Sequence, residues 1–555
     1  MTMHDDLTTL VRRVRRGRAR SAALAALLAL AVVLPGACSG GGGSSSAAAN
    51  GGTLTVVSET DTDSLDPQKV TAIQAAMMLD HVYDTLVAVG FDQQKLYPLL
   101  AEKWEISKDG LTYTFHLRKD VTFWSGKKFG SDDVVATLDR LRDPKLGSAS
   151  GYYMDAVKTI SAPDANTVVL KLEHPDSWLM QNLSMPFASM LNADRLKKYG
   201  ADYGKTPDQV DGTGPFKIES WQPKNQLTMM RNDKYEWGPS FLKNRGPAHV
   251  DKIVWREVPE ASTRIQGLQS GDADITPATT GLEPFVKQAR GDAGLKMLDV
   301  PSYNIQWLGF KVKKPIQSDV RVRQALSYAI DKQAIVDAVL LGQGTVAHGF
   351  LDPAMPDYWK SLDTNWYNYD PRRAEQLLDE AGWVPGPDGI RAKNGTKMVL
   401  NVYAGTESKN ALTLIQQDYR KIGVKMVQNL VDRTTLYAIR ATDKPDLNFG
   451  WVAYPNADQV LKFYFDCQNQ PSPNRFNYCS KDTDKDFADA NAALSVAKRN
   501  QAYIRSQQNI FRDDPAVPLY HVKLTMITSS KVKGVRPYPL YNIGLYKSTD
   551  ITVEH

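Results

Sequence analysis

Residues 111–118, "LTYTFHLR", alternate apolar and polar side chains directly after Asp109-Gly110, a pattern that predicts a strand leaving a hairpin turn. "GSDDVVATLDRL" (130–141) changes to helical spacing. Ser131 is placed to cap this helix, and Asp132 and Asp133 suit the positive end of its dipole. In "SDVRVRQALSYAIDKQAIVDAVL" (318–340), Val322, Ala325, Leu326, Ala329 and Ile330 recur as one buried helical face. "DPRRAEQLLDEAGW" (370–383) predicts a helix with Asp370 as cap, Pro371 in its first turn and Gly382 at its end. "ALTLIQQDYRKIGVKMVQNL" (411–430) reads as a helix, a break at Gly423, then a strand. Strands alternating with helices predict α/β layers. No internal repeat is present, and no low-complexity segment follows residue 52.

The beginning of the chain follows a different pattern. Arg12, Arg13, Arg15, Arg16, Arg18 and Arg20 precede an apolar run from Ala22 to Leu34, the layout of a secretory signal. That run is shorter than the roughly 20 residues a lasting membrane span requires. "LPGACSG" follows and resembles a bacterial lipoprotein signal. Residues 1–37 are then removed, Cys38 is lipidated, and residues 38–52, rich in Gly, Ser and Ala, form a flexible tether. Leu34 stands four residues before Cys38 and Pro35 takes the third place, where such signals usually carry Leu. An ordinary secretory signal cut nearby is the alternative.

This leader changes the charge argument. The formal charge of the whole chain is +5, and the leader's six arginines against Asp5 and Asp6 supply +4 of it. The remaining chain is nearly neutral and offers no basic footprint for nucleic acid. Its length suffices for two or three domains with proper cores. Cys467 and Cys479 suggest a disulfide in an exported protein, with free thiols as the alternative. No histidine lies near either, so a metal site is not expected there.

Catalytic motifs are absent. There is no G-x-S-x-G, no H-E-x-x-H and no Cys-x-x-Cys. "GTGPFK" (212–217) has phosphate-loop glycines, but Pro215 follows and no helix start does, so it reads as a strand-entry turn. "DTDKD" (482–486) imitates the start of a calcium loop, yet Phe487 stands where such a loop needs Gly; a solvated acidic turn fits better. No enzyme, catalytic residue, metal or cofactor is expected.

Several segments, in order, carry a family resemblance: "SLDPQ" (64–68), "LLAEKWEISKDGLTYTFHLRKDVTFWSGKKFGSDDVVATLDRL" (99–141), "GTGPFKIESW" (212–221), "RNDKYEW" (231–237), "PEASTRIQGLQSGDADI" (259–275), "DVRVRQALSYAIDKQAIV" (319–336) and "YDPRRAEQLLDEAGW" (369–383). They resemble the family 5 extracellular solute-binding proteins of ABC importers, which include oligopeptide-, dipeptide- and nickel-binding proteins. The likeness spans residues 53–550. It implies a two-lobed α/β periplasmic-binding-protein fold, type II, cluster C, with a domain inserted in the first lobe. The first lobe takes residues 53–95, 205–308 and 518–555, the insert 96–204 and the second lobe 309–517. Crossing strands lie near "YNIQWLGF" (303–310) and "VPLYHV" (517–522). The implied partners are a small-molecule or peptide ligand, permease and ATPase subunits, and the membrane through the lipid anchor. The protein is expected to be a monomer on the outer face of the cell membrane.

A binding site of this kind needs aromatic surfaces and a few fixed polar groups. The resemblance points to Glu59, Thr60 and Asp61 after the first strand, Tyr152 and Tyr153 in the insert, Trp307 in the crossing strand, and "FGWVAYPNAD" (449–458). Each has an alternative reading: a loop capped by its own side chains for residues 59–61, and packing for Tyr152, Tyr153, Trp307 and Trp451. Peptide-binding members carry an Asp three residues after the matching Trp, where it holds the peptide's amine; here Tyr454 stands there. Asn448 and Phe449 occupy the place where some members have an Arg for the carboxylate. Both ends of the usual clamp are missing, which suggests a neutral-ended guest held by rings and amides. Asn456 belongs to the same stretch. Asp458 either substitutes as the amine partner or caps the helix of "DQVLKFYF". A peptide or modified peptide is the expected ligand. The alternatives are another polar solute such as an oligosaccharide, a metal chelate, or a sensory or interaction lipoprotein that feeds no importer.

Overall fold

The computed structural model describes residues 51–554 except 71–72, 149, 279–281, 301, 356, 365–366 and 540–543. The signal segment, Cys38 and the tether as far as residue 50 lie outside the described residues. Among the described residues no helix is long and apolar enough to cross a membrane.

Three larger sheets organise the described residues. The first has seven strands in the order Leu295–Val300, Leu524–Ser529, Ile275–Thr276, Thr53–Ser58, Lys252–Glu257, Gln226–Arg231 and Phe216–Gln222. Thr53–Ser58 runs parallel to its neighbour Lys252–Glu257, which leaves the antiparallel hairpin Phe216–Gln222/Gln226–Arg231 at the edge. The second has six strands: Gly344–Val346, Ala516–Val522, Asn304–Phe310, Leu447–Ala453, Val399–Gly405 and Lys425–Val431. Its last three strands are parallel, with helices Lys409–Lys421 and Arg433–Arg440 in the connections. The third is an antiparallel sheet of Ala101–Ile106, Thr112–Leu117, Thr167–Leu172 and Val157–Asp164. This is the two-lobed, mixed α/β fold of type II.

The expected crossing strands Asn304–Phe310 and Ala516–Val522 pair with each other in the six-stranded sheet. The chain passes to the seven-stranded sheet immediately outside them, between Val300 and Asn304 and at Lys523. Tyr303 at the first crossing holds a φ of 47°, a conformation uncommon for a side chain of its size.

Local chemistry accounts for most elements. In Thr112–Leu117, Tyr113, Phe115 and Leu117 are buried on one face, and Gly110 takes the positive φ of 71° that the turn needs. The Asp370 carboxylate accepts from Arg373 N at 2.9 Å, Pro371 opens the helix Pro371–Glu380, and Gly382 sits at φ 83°. Gly423, at φ 77°, separates helix Lys409–Lys421 from strand Lys425–Val431. "GTGPFK" does lead into a strand, Phe216–Gln222. Gly214 packs so tightly that a Cβ would sit 2.6 Å from the His81 carbonyl oxygen.

Three local readings are corrected. The span 318–340 is two helices, Val320–Tyr328 and Lys332–Val339, because Asp331 starts a new cap, accepting from Ala334 N at 2.9 Å. The five expected apolar residues are nonetheless all buried. Ser131 does not cap the helix Ser131–Arg142; it lies inside it and donates to the Asp164 carbonyl at 2.7 Å. The Asp133 carboxylate instead reaches back to Gly130 N at 3.1 Å. The stretch 482–486 is no turn but the start of helix Lys481–Asn491, where Asp482 and Asp484 meet the positive end of the dipole. Asp486 is buried against Arg505 at 2.7 Å.

Candidate functional site

The strand Leu447–Ala453 explains how the quoted stretch divides. Gly450 faces Trp307 across the sheet, and a Cβ there would strike the indole at 2.6 Å, so the two residues form one tight layer. Trp307 is therefore core: it is 1% exposed and packs edge-on against Phe476 at 5.0 Å and Tyr464 at 5.7 Å. Side chains alternate along a strand, so Trp451 turns the other way and leaves 49% of its surface exposed. That face opens into a cavity of about 450 Å³.

The other walls come from distant parts of the chain. Tyr152 and Tyr153 lie in the 3₁₀ turn Gly151–Met154, beside the four-stranded sheet. Tyr153 stacks on Phe187 at 4.5 Å with the rings 4° apart, and Tyr152 leans on Tyr153 at 4.0 Å. Tyr454 and Tyr464 complete the aromatic lining from the side of the six-stranded sheet. Burial raises the phenol pKa of Tyr152 and Tyr454 and pushes Tyr464 up to about 12. These hydroxyls remain neutral hydrogen-bonding groups at physiological pH. The Gln459 amide donates to the Tyr153 hydroxyl, which joins the two walls.

One corner of the cavity is cationic. Arg440, on the last turn of helix Arg433–Arg440, is 8% exposed. Arg475 lies in the loop closed by the Cys467–Cys479 disulfide. Both guanidinium carbons sit near the Tyr437 ring, at 5.8 Å for Arg440 and 5.5 Å for Arg475. The Arg440 guanidinium donates to the Phe449 carbonyl, and its Nε is buried with no hydrogen bond. Among the described residues neither arginine forms an ion pair with a carboxylate. Burial, then the neighbouring Arg475 charge, lowers the Arg440 pKa to about 10. Lys311 is buried without lining this cavity; its amine has no hydrogen bond, and burial, then the charges of Lys314 and Arg475, lowers its pKa.

Of the residues singled out in the sequence, Tyr152, Tyr153, Trp451 and Tyr454 line this cavity together. The rest go elsewhere. Asp61 accepts from Trp221 Nε1 at 2.9 Å and Lys224 N at 3.1 Å, so it ties down the 216–231 hairpin. Glu59 accepts from Gln74 Nε2 at 2.8 Å, and Thr60 is exposed away from the cavity. Asn456 is buried and caps the helical turn Asp458–Lys462 by accepting from Gln459 N at 2.9 Å. Asp458 is thereby neither the cap nor an exposed amine partner. Its carboxylate accepts from Tyr503 OH at 3.2 Å, and burial raises its pKa to about 6.

Arg440, Arg475 and Tyr437 were not visible as site residues in the sequence. The one local signal is Tyr437 and Arg440 three apart on one helix face. Asn448, in the place of a missing arginine, donates to the Arg475 carbonyl at 3.1 Å. It positions the loop that brings a guanidinium from elsewhere, so the site is not the purely neutral one inferred from the sequence.

Two α/β lobes joined by two crossings, with an aromatic cavity enclosed between remote segments, define a two-lobed solute-binding protein. More particularly, the chain belongs to the bacterial extracellular solute-binding proteins, family 5: the family 5 Middle model matches residues 95–472. The chain is 28% identical over 533 residues to the Dipeptide-binding protein of Escherichia coli (strain K12), covering 90% of this chain and 95% of that one. It is 30% identical over 483 residues to Heme-binding protein A of Haemophilus influenzae, covering 82% and 84%. The fold matches that of HbpA2 from Haemophilus parasuis with a TM-score of 0.79 at 24% identity, over 91% of this chain and 100% of the other.

Proposed function

We propose that this chain is the extracytoplasmic receptor of an ABC importer, capturing a peptide or modified peptide between its lobes and delivering it to a membrane permease. The observation that carries this reading is the aromatic cavity, whose opposite walls come from the 151–187 region and from the six-stranded sheet. A ligand touching both walls favours the state in which they approach, because only that state satisfies both sets of contacts. The lobes are 53–95, 205–308 and 518–555 for the first and 309–517 for the second, with 96–204 inserted in the first. The crossings at 300–304 and 523 act as the hinge.

Peptide groups and apolar side chains suit a site of phenols and an indole, which offer flat apolar faces and neutral hydroxyls. No bond is made or broken, and the ATPase of the partner transporter supplies the energy. Cys38 anchors the receptor, a monomer, to the outer face of the membrane, and residues 38–52 give it reach.

The test begins with mass spectrometry of whatever co-purifies and is released by denaturation. Trp451→Ala and Tyr454→Ala should then each weaken binding of that compound about 10- to 100-fold, the usual scale for an aromatic anchor. The melting temperature of the ligand-free protein should stay within a few degrees. Unchanged affinity in both variants removes this cavity from the site. Unchanged uptake of that compound after deletion of the protein refutes the transport role.

A further inference from the structure

Three of the nine large apolar side chains left exposed among the described residues gather in one place. Ile106, Leu494 and Val496 are 45%, 59% and 56% exposed, and all three line a cavity of about 430 Å³. Its lining has no residue in common with the aromatic cavity. One wall comes from the hairpin tip at 93–96, the end of strand Ala101–Ile106 and the segment 176–181. The other is the link that leads into helix Val496–Asp513. The walls meet where Ser177 N donates to the Asn491 carbonyl at 3.1 Å. Leu494 leans over the turn at Gly110, where a Cβ would come within 2.5 Å of its Cδ2.

Helix capping does not account for Leu494. Ser495 caps helix Val496–Asp513, accepting from Lys498 N at 3.4 Å, and an apolar residue before a cap often packs on the fourth helical residue. That residue is Arg499, which instead meets the Trp178 ring and Asp357. A second anomaly is polar. Gln93 is 1% exposed, and at φ 54° it takes a backbone conformation more usual for Gly or Asn. Its Nε2 donates to the Gly90 carbonyl at 3.0 Å, and its own carbonyl accepts from Gln181 Nε2 at 3.0 Å. Among the described residues its Oε1 is buried with no hydrogen bond, and so is the Ser177 hydroxyl. Gln93 and Ser177 both line the cavity. A buried acceptor left unpaired loses its hydration with no return, which a donor arriving in the cavity would restore. The charges of the lining balance: Arg499 is neutralised by Asp357, and Lys108 is matched by Asp176.

We infer that this cavity is a second ligand site, outside the aromatic one, for a small neutral amphipath with a compact aliphatic body and a carboxamide head. The body lies against Ile106, Met180, Leu494 and Val496 and withdraws their apolar surface from water. The N–H groups of the head donate to Gln93 Oε1 and Ser177 Oγ, the two acceptors that lack a partner. A neutral head suits the balanced charges, since an added ion meets a like charge together with an opposite one. An apolar lining with a few fixed polar groups, at this volume, is the usual form of a small-molecule site.

The test titrates cyclohexanecarboxamide, cyclohexanecarboxylate and cyclohexylmethylammonium into the full chain and follows each by ligand-observed NMR. The amide should bind with a Kd of about 1 mM, and about tenfold more tightly than either charged analogue. Leu494→Asp should weaken the amide about tenfold by placing a charge against its apolar body. Leu494 is exposed, so this substitution leaves the folded core intact. Ser177→Ala should weaken the amide about fivefold and narrow its advantage over the two ions. Trp451→Ala should leave the amide's affinity unchanged, because Trp451 lines only the other cavities. Absence of saturable amide binding overturns the inference, and so does equal affinity for the three compounds. Binding that survives Leu494→Asp but is lost in Trp451→Ala also overturns it, because the amide would then occupy the aromatic cavity.

Discussion

Trp178→Ala probes whether the contact between the insert and the second lobe belongs to the closed state or to the permanent core. Trp178 follows the four-stranded sheet in sequence, yet it belongs to one buried apolar cluster with Phe350, Phe487 and Tyr503, residues of the proposed second lobe. It is 2% exposed, donates from Nε1 to Tyr503 OH at 3.0 Å, and carries the Arg499 guanidinium at 4.0 Å from its ring. A tryptophan buries about 150–250 Å². At roughly 25 cal/mol per Å² that is about 4–6 kcal/mol as an upper bound, and truncation at such an anchor costs about 3 kcal/mol. If the contact forms on closure, this loss shifts the open–closed balance about 100-fold toward open. The ligand-free variant should then show a radius of gyration above the roughly 24 Å of a compact chain of this length. Small-angle X-ray scattering reads this directly. The melting temperature should move by less than about 3 °C, because the unfolding lobes lose nothing of their own. A fall of about 10 °C with unchanged scattering is what 3 kcal/mol removed from a lobe core would give. That result would refute the closure argument and make Trp178 an ordinary core residue.

Three further outcomes are expected. Lys547 and Asp84 form a fully buried pair at 2.6 Å, with Asp84 also accepting from Thr213 and Trp237. Lys547→Met should destabilise the protein by about 3–5 kcal/mol in urea unfolding, and adding Asp84→Asn should recover part of that, since the cost is an orphaned charge. Replacing Cys467 and Cys479 together by Ser opens a loop spanning 12 residues. The loss should be about 3 kcal/mol by urea midpoint, together with weaker binding of the co-purified compound, because Arg475, which lines the cavity, is in that loop. Burial raises the Asp458 pKa to about 6, above its ordinary value of 3.8, so its contribution to stability is full below pH 4 and is lost as pH rises through 6. Asp458→Asn should therefore gain about 2–3 kcal/mol relative to wild type between pH 4 and pH 7.5, and a parallel pair of stability–pH curves would refute this.

The sequence by itself determined whatever depends on neighbours along the chain. Alternation at 112–117 was enough for a strand, because one face of that sheet is buried and the period of two is set by the backbone. Asp370, Pro371 and Gly382 delimited a helix because caps act within one turn. The same logic failed at 329–331, where an apolar face continued but Asp331 could cap a new helix. Its own N–H donates to Asp418 Oδ2, 87 positions away, at 3.0 Å. Trp451 and Tyr454 could be picked out as wall residues, since the strand decides which way they point. Arg440 and Arg475 could not. They lie 35 positions apart, on a helix end and in a disulfide loop. What sets them apart is that, among the described residues, neither forms an ion pair with a carboxylate. That is a property of the space around a residue, and only the assembled lobes decide what fills it.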